Sequence, residues 1–382
     1  MSGAATPPAA SRMTAGLLTA PERVVLAEVP RPPCPEGGLL LRVQACAVCG
    51  SDVRLYLGRK QVKGSQEIDG HVLAGRILGH EIAGMIEAAG PSVKDFAPGE
   101  VVTVAPSITC GTCGACRGGR SEVCRTYRAL GYQYPGGFAE YLAVPARLLA
   151  DGSVNRVPAS VPSWKACLAE PLACALNAQE AMGIRPGDSI LVAGAGPMGC
   201  LHLLLARQRG AGFIAVLEPD AGRRERAGTL GADLAAAPDA LDLDRVLLDA
   251  TKGEGFSAVV FAVSSIQAIR RVFAVFEGGA YRLLAPGARL NLFAGLDPGE
   301  TSVSLDARAI HYQALSIIGS ANSTPRQNAE ALGLIASGTV AVERLVTARI
   351  PLSRMGEALS LATSKSHLKV VVEPGGGESQ PQ

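Results

Sequence analysis

Residues 189–199 read SILVAGAGPMG, and they carry the clearest indication of the fold class. Its first five residues form an apolar run that is typical of a buried parallel strand. The next six fit the pattern G-x-G-x-x-G, and a mostly apolar helical segment, residues 200–209, follows and ends at Gly210. A glycine turn between a strand and a helix lets the backbone and the helix N-terminus approach a pyrophosphate. The stretch therefore predicts a dinucleotide-binding site, with an ordinary glycine turn as the structural alternative.

An acidic residue closes the next predicted strand. Residues 213–217 form a second apolar run, and Glu218 stands at its end, 24 residues after Gly194. This spacing is close to that of the ribose-binding acid of dinucleotide-binding folds. A carboxylate there accepts hydrogen bonds from both ribose hydroxyls and repels a 2′-phosphate, so NAD is favoured over NADP. Arg223 and Arg224 follow closely and offer charge for a phosphate, which leaves NADP as the less favoured coenzyme.

Strands and helices continue to alternate after this motif. Asp220 is placed to cap a helix that runs to Leu230, and further buried strands are predicted over residues 258–263, 290–294 and 315–318, with a helix over 266–276. Five or six strands that alternate with helices indicate an α/β fold with a doubly wound parallel sheet. We assign this dinucleotide-binding domain to residues 172–318.

Four cysteines have the spacing of a metal site. Cys110, Cys113, Cys116 and Cys124 form the pattern C-x2-C-x2-C-x7-C in a glycine-rich loop, which can fold its thiolates inward around a tetrahedral ion. Because sulfur fills all four positions, the loop predicts a structural zinc site without an open position for substrate. Chance clustering and an iron–sulfur loop are the alternatives, but the last gap of seven residues differs from that of the ferredoxin pattern.

A second, open metal site is predicted upstream. Cys49 and His80 supply a thiolate and an imidazole, which are two of the three protein ligands that a catalytic zinc requires. The third ligand is offered by Cys167, Glu170 or Cys174, and spacing alone does not choose among them. Read singly, Cys49 and His80 would be ordinary packing or hydrogen-bonding residues.

Composition excludes several classes of protein. The 382 residues are 48% hydrophobic and 18% charged, which is enough for a buried core in two or three domains. The net charge of +2 argues against a dominant nucleic-acid-binding surface. No apolar run reaches 18 residues, and residues 1–12 lack the pattern of a signal peptide. We therefore expect a cytoplasmic protein without membrane contact, whose ten cysteines serve metal binding and packing rather than disulfides.

The remainder of the chain has a different sequence pattern. Short β-like runs broken by glycine and proline are predicted over residues 39–45, 82–88, 101–105 and 139–144. We expect residues 13–171 to form a β-rich domain that carries both metal sites, and residues 319–374 to complete it with a helix and a final strand. The dinucleotide-binding domain is then an insertion, and the coenzyme meets the open zinc in the cleft between the domains. Residues 1–12 and 375–382 are predicted to be disordered tails.

These motifs together resemble the zinc-containing medium-chain dehydrogenase/reductase family over about residues 20–373. They are Gly79-His80-Glu81, the four-cysteine loop, residues 194–199, and Cys49-Gly50-Ser51-Asp52. The resemblance implies a GroES-like catalytic domain with an inserted Rossmann domain. Residues 170–173, EPLA, are similar to the sorbitol and polyol dehydrogenase branch, in which a glutamate before Pro-Leu is the third zinc ligand. This implies Glu170 as that ligand and Cys174 as a pocket or packing residue.

The resemblance also implies roles for single residues. Cys49, His80 and Glu170 correspond to the ligands of the catalytic zinc, and Glu81 to a neighbouring carboxylate that can replace water or a ligand. Ser51 corresponds to the hydroxyl that passes the substrate proton outward. The coenzyme-contacting positions implied are Gly194, Gly196, Pro197, Met198, Gly199, Glu218 and Arg223.

One position departs from the family pattern. Many relatives have a histidine three residues after Ser51, at the end of the proton relay, whereas this chain has Arg54. Because arginine stays protonated, it cannot relay a proton by titrating. The proton must leave through ribose hydroxyls, water or another base. His71 is one substitute, and a structural role for it is the alternative.

The function implied is the oxidation of a secondary alcohol of a polyol, sugar or cyclitol to a ketone, with NAD+ as hydride acceptor and two zinc ions per chain. Threonine or simple alcohol dehydrogenase activity is the alternative within the family, and a non-catalytic zinc- or nucleotide-binding protein is the alternative outside it. Relatives are commonly dimers or tetramers, so we expect a homodimer or homotetramer that binds a small-molecule alcohol.

Overall fold

The protein is described from a computed structural model, which describes residues 11–60, 62–267, 269–270, 283–296, 299, 301–364 and 366–375. Apart from residues 11, 12 and 375, the predicted tails lie outside the described residues. Most of the helix predicted over residues 266–276 also lies outside them.

Twelve strands precede the dinucleotide motif. They are β1 Arg12–Ala20, β2 Arg23–Pro30, β3 Leu39–Ala47, β4 Glu67–Ile68, β5 His71–Val72, β6 Arg76–Ile77, β7 Glu81–Ala89, β8 Val101–Val104, β9 Ser107–Ile108, β10 Arg128–Ala129, β11 Tyr141–Val144 and β12 Val154–Arg156. The motif region adds β13 Ser189–Ala193, β14 Phe213–Leu217, β15 Leu234–Ala236, β16 Phe256–Phe261, β17 Leu284–Leu292 and β18 Ser316–Gly319. The last two strands are β19 Val346–Pro351 and β20 Lys369–Glu373.

The longest described helix, Ala169–Met182, directly precedes strand β13. The α-helices that the described residues form are Gly50–Tyr56, Gly114–Arg117, Ala146–Ala150, Ser163–Ala166, Ala169–Met182, Pro197–Gln208, Ala221–Thr229, Leu243–Ala250, Ala307–Tyr312, Pro325–Ala336 and Met355–Thr363. Short 3-10 turns cover Ser121–Val123, Val342–Leu345 and Leu352–Arg354. Within the described chain, no helix combines the length and apolarity that crossing a membrane requires.

The motif region forms a six-stranded, fully parallel sheet in the order β15-β14-β13-β16-β17-β18. The apolar run of β13 is explained by burial on both faces of this sheet. Ile190 and Val192 pack into a core with the helices Ala169–Met182 and Pro197–Gln208, whereas Leu191 and Ala193 pack into a second core on the opposite face. The predicted doubly wound α/β fold is confirmed.

Two predicted strands begin earlier than the apolar pattern suggests. Strand β16 starts at Phe256 rather than residue 258, and β17 starts at Leu284 rather than residue 290. Pro286 and Gly287 interrupt the apolar run of β17, and the pairing of β16 with β17 shifts register between Phe256 and Ala258. The first half of β17 is therefore invisible to a search for apolar runs.

The rest of the chain forms a seven-stranded sheet in the order β12-β8-β7-β3-β20-β19, with β11 also paired to β3. Strand β20 pairs antiparallel with β3. Strands that precede the parallel-sheet segment in the sequence and strands that follow it therefore lie in the same second sheet. The predicted insertion of a Rossmann domain into a β-rich domain is confirmed. The exact boundaries at residues 171–172 and 318–319 remain a prediction.

Candidate active site and metal centres

The four-cysteine loop gathers its sulfur atoms into one cluster. The Sγ atoms of Cys110, Cys113, Cys116 and Cys124 all lie within 4.8 Å of one another. The Sγ of Cys110 lies 3.9 Å from that of Cys116 and 3.6 Å from that of Cys124, and the Cys113 and Cys124 sulfurs are 4.0 Å apart. A zinc ion about 2.3 Å from four tetrahedral sulfurs requires sulfur–sulfur edges of about 3.8 Å. The cluster therefore fits a closed tetrahedral zinc site.

Backbone amides stabilise a thiolate in this loop. The amides of Thr112 and Cys113 donate to the Cys110 Sγ at 3.4 and 3.3 Å. These hydrogen bonds lower the pKa of Cys110 to about 5. Because the thiolate is the form that binds metal, the loop favours metal binding at neutral pH.

A second cluster joins three of the other predicted site residues. One ligand atom each from Cys49, His80 and Glu81 lies within 4.8 Å of the other two. Cys49 is the N-cap of the helix Gly50–Tyr56, and Glu81 is the first residue of β7. Gly79 precedes His80 with φ +90°, and a Cβ there would stand 2.6 Å from the Sγ of Cys46, so this tight approach requires glycine.

Asp52 orients two of these ligand candidates, and the sequence analysis gave it no role. Its buried carboxylate accepts hydrogen bonds from the amides of Cys49 at 3.0 Å and Gly79 at 3.3 Å. Its Oδ1 also lies 3.6 Å from the Nδ1 of His80, which leaves the Nε2 of that ring for a metal. The signal that could have found it is an acid three residues after a helix N-cap.

The surroundings of His80 are negative. Burial by itself lowers the pKa of His80, but Tyr132, Asp52 and Cys49 outweigh it and raise that pKa well above its usual value. The same surroundings favour a bound cation at this position. The Tyr132 ring lies 5.3 Å from the His80 ring, and the Nζ of Lys60 donates to the Tyr132 hydroxyl at 3.4 Å.

Lys369 neutralises Glu81 from the opposite end of the chain. Its Nζ lies 2.5 Å from both carboxylate oxygens of Glu81, and its third hydrogen bond goes to the carbonyl of Val48 at 3.2 Å. Both side chains are buried, with exposed fractions of 2% and 0%. Sequence reasoning missed Lys369, because no local pattern relates it to Glu81.

The three candidates for the third ligand have different environments. Cys167 is completely buried in the apolar core, and its thiol donates to the carbonyl of Trp164 at 3.4 Å. Glu170 is buried at the start of the helix Ala169–Met182, and the Cys174 thiol contacts its Oε1 at 3.6 Å. Burial raises the pKa of Glu170 to about 7, with Glu81 adding to the shift and His80 opposing it. Glu170 thus borders the second cluster, but it is not among the three side chains within 4.8 Å.

The residues considered for the proton relay have different surroundings. The Oγ of Ser51 is buried and has no hydrogen-bond partner among the residues that the structure describes. Arg54 donates hydrogen bonds to the carbonyls of Gly295 and Leu296, at 3.1 and 2.5 Å, and both of these residues belong to the parallel-sheet domain. His71 is exposed on β5.

The glycine turn has the geometry that its residues predict. Gly194 has φ +100°, and a Cβ there would lie 2.6 Å from Val263; a Cβ on Gly199 would lie 1.9 Å from the carbonyl oxygen of Gly194. Gly196 is the N-cap of the helix Pro197–Gln208, with Pro197 in its first turn and Met198 partly buried against the core. The turn therefore brings backbone close to the helix N-terminus, as a bound pyrophosphate requires.

Glu218 has a second task that the sequence did not indicate. Its Oε2 accepts from the amide of Ala195 at 2.8 Å, and its Oε1 accepts from the amide of Asp220 at 3.0 Å. The carboxylate therefore braces the glycine turn as well as standing at the end of β14. Each carboxylate oxygen has a further acceptor site, so hydrogen bonds to ribose hydroxyls remain compatible with this arrangement.

The two arginines near the turn differ in what they can bind. The Nη1 of Arg224 donates to the carbonyls of Glu218 and Pro219, both at 2.8 Å. Arg223 reaches toward the turn, with its Nη1 4.0 Å from where a Cβ on Gly196 would stand. Arg223 also donates to the carbonyl of Ser364 at 3.4 Å, so it connects the turn with the segment before β20.

Two family models match different parts of the chain. Residues 35–154 match the family model described as the alcohol dehydrogenase GroES-like domain, and residues 197–337 match the one described as zinc-binding dehydrogenase. L-threonine 3-dehydrogenase of Pyrococcus abyssi is 32% identical over 296 residues, which are 78% of each chain. D-altritol 5-dehydrogenase of Agrobacterium fabrum is 32% identical over 87% of this chain and 91% of its own.

A solved structure shows a similar fold over nearly the whole chain. A protein of Sinorhizobium meliloti 1021, classed as a zinc-binding dehydrogenase and bound to NADP, has a TM-score of 0.83 and 28% identity. The comparison covers 95% of this chain and 100% of that chain.

Proposed function

Because the chain belongs to the zinc-containing medium-chain dehydrogenase/reductase family, we propose that it oxidises a secondary alcohol of a polyol, sugar or cyclitol with NAD+. The protein is a zinc-dependent dehydrogenase of the alcohol and polyol class. The observation that carries the proposal is the cluster of Cys49, His80 and Glu81 in the same chain as a dinucleotide-binding turn.

Two zinc sites are part of the proposal. Cys110, Cys113, Cys116 and Cys124 hold a structural ion, since their sulfurs have tetrahedral spacing. Cys49 and His80 hold the second ion, with Glu170 or Glu81 as the carboxylate ligand. Glu170 is the ligand expected when Lys369 retains Glu81, because both oxygens of Glu81 already accept hydrogen bonds from that amine.

The chain's own residues position and deprotonate the alcohol. Zinc supplies Lewis-acid chemistry that eases loss of a hydroxyl proton, and NAD+ supplies the hydride acceptor. Ser51, whose Oγ is buried, would accept the hydroxyl proton while it passes its own proton on to a ribose hydroxyl or to water. Asp52 holds His80 and the N-cap of the Cys49 helix in place, so the ligand atoms are preorganised. Arg54 cannot carry the proton further by titrating.

NAD is proposed as the coenzyme on the charge of Glu218. This carboxylate stands at the end of β14 and would repel a 2′-phosphate. The Nη1 of Arg224 donates to two backbone carbonyls, so this part of its guanidinium is directed toward the backbone. Arg223 reaches toward Gly196, which suits a contact with the pyrophosphate rather than with the 2′ position.

The substrate class rests on similarity. The Glu170-Pro171-Leu172-Ala173 segment resembles the polyol branch, and one relative is a D-altritol 5-dehydrogenase. Threonine oxidation is a second candidate, because an L-threonine 3-dehydrogenase matches 78% of the chain.

We also propose that the protein forms a homodimer or homotetramer and that it is located in the cytoplasm.

The test is an NAD-linked screen over polyols, cyclitols, amino sugars, threonine and simple alcohols, with zinc counted per chain in the same sample. The expected result is turnover of a polyol, sugar or cyclitol with two zinc ions per chain. His80→Ala should abolish turnover while NADH still binds. Full activity of a verified His80→Ala preparation would contradict the assigned zinc site, and turnover of threonine alone would replace the proposed substrate class.

A further inference from the structure

Arg54 connects the two domains at a point close to both proposed reaction partners. It lies in the helix Gly50–Tyr56, which begins directly after Cys49. Its guanidinium donates to the carbonyl oxygens of Gly295 and Leu296, which are more than 240 residues further along the chain. An arginine with a planar fork of donors can hold two neighbouring carbonyls at once.

The receiving segment is shaped for this contact. A Cβ on Gly295 would stand 2.8 Å from the Nη1 of Arg54, a distance that real Cβ contacts do not show. A side chain at this position would therefore require the guanidinium, which is the mobile end of a long side chain, to shift from this contact. The glycine and the arginine form one fitted contact.

The place of the contact in the fold gives it a function. Gly295 and Leu296 follow the carboxyl end of β17 in the parallel sheet. Ligands of doubly wound sheets bind in the crevice outside the carboxyl ends of the strands. The two carbonyls therefore border the crevice where the proposed coenzyme lies, and Arg54 ties this border to the helix that begins at the proposed zinc ligand Cys49.

We propose that Arg54 is a positioning residue that holds the coenzyme edge of the parallel sheet against the zinc-site helix and thereby slows release of the coenzyme. This inference rests on the proposed function. In this chain, the position that carries a relay histidine in many relatives would thus serve to hold the domains together.

The experiment measures NADH release from the zinc-loaded full-length enzyme by stopped-flow fluorescence. The variants are Arg54→Gln, Arg54→Lys, Gly295→Ala and the double variant of Arg54→Gln with Gly295→Ala. Loss of a charge-assisted contact should raise the dissociation rate of NADH by about 5- to 30-fold in Arg54→Gln and in Gly295→Ala. Arg54→Lys should give a smaller increase, because a single ammonium cannot hold both carbonyls in the same way.

The double variant separates this role from general destabilisation. If both substitutions break one contact, the double variant should release NADH no faster than the faster single variant. A merely structural role would lower the binding amplitude and the melting temperature, but it would not change the rate of release. Gly295→Ala tests the contact even if Arg54→Gln folds poorly.

Two matched controls keep their contacts within one domain. Arg156 pairs with Glu100 at 2.8 Å, and a Cβ on Gly333 would meet open space. Arg156→Gln and Gly333→Ala should therefore leave the release rate within about twofold of wild type. A wild-type enzyme that does not bind NADH overturns the proposed function and the inference with it. The inference alone is overturned if the wild-type enzyme binds NADH but Arg54→Gln and Gly295→Ala release it at the wild-type rate. It is also overturned if the effects of the two substitutions on the release rate multiply in the double variant.

Discussion

Glu81 and Lys369 form a buried ion pair that joins the strand beginning next to His80 with the last strand of the chain. The Lys369 amine lies 2.5 Å from both carboxylate oxygens. Strand β20 is thereby attached to strand β7 through a charge contact, in addition to its backbone pairing with β3. The C-terminal segment is thus part of the site's support.

Lys369→Met should destabilise the metal-free protein strongly. Removing one partner of a buried ion pair leaves an uncompensated charge, which costs about 3–5 kcal/mol. Urea denaturation of the chelator-treated protein measures this loss. The loss should be smaller in the zinc-loaded protein, since a cation beside Glu81 compensates its charge. Arg349→Gln, which removes an exposed partner of Glu373, is the control and should change stability by less than about 1 kcal/mol. A Lys369→Met protein as stable as this control would refute the argument.

Cys113→Ser should remove one zinc ion per chain and lower the melting temperature. A zinc ion held by four thiolates would contribute folding energy to the closed loop, so the loss of one thiolate should weaken the whole loop. Zinc analysis and calorimetry measure the two effects, and binding of NADH should persist. Cys34→Ser is the matched control, because Cys34 belongs to neither metal-ligand cluster of the described chain. An unchanged zinc content in Cys113→Ser would contradict the closed site.

The local parts of this architecture could be predicted from sequence, and the long-range parts could not. The glycine turn, residues 194–199, and the four-cysteine loop, residues 110–124, are short patterns whose residues contact one another locally in the sequence. Asp52 also left a local signal, as an acid at the third position of a helix. Lys369 and the Arg54–Gly295 contact left none, because their partners are 288 and 241 residues away. Only the folded sheets bring such residues together.

Glu218 shows a subtler limit of sequence reasoning. The spacing from Gly194 predicts an acid at the ribose position, and the structure places Glu218 at the end of β14. The pattern does not reveal that both oxygens also accept backbone amides of Ala195 and Asp220. A motif identifies a residue by the one contact common to the motif, whereas the packing around it adds further contacts.

Glu218→Gln should narrow the preference for NAD over NADP. Glutamine keeps one acceptor but sets its NH2 group against the other backbone amide, which should weaken the binding of both coenzymes. Only the loss of the charge that repels a 2′-phosphate changes the ratio between them. The ratio of the NADPH and NADH dissociation constants should fall by about tenfold or more, since hydrogen bonds to charged groups contribute about 1.5–3 kcal/mol. Fluorescence titration with both coenzymes measures the ratio. If the wild-type enzyme already binds NADPH more tightly, the assignment of Glu218 is wrong.

Acid should destabilise the protein through His202. This side chain is fully buried in the helix Pro197–Gln208, with its ring edge-on to Phe293 at 4.6 Å, and burial lowers the pKa of His202 to about 3. Above about pH 6.5 the imidazole is neutral in both the folded and unfolded chains, so the full stability is present. Between pH 6.5 and 3 the unfolded chain binds a proton that the folded chain does not, and each unit of acidification lowers the free energy of unfolding by about 1.4 kcal/mol.

Between pH 6.5 and 5 the free energy of unfolding of His202→Leu should therefore fall by about 2 kcal/mol less than that of the wild type in urea denaturation. The exposed His71→Gln should follow the wild-type curve. Parallel curves for wild type and His202→Leu would show that His202 does not titrate in the unfolding equilibrium.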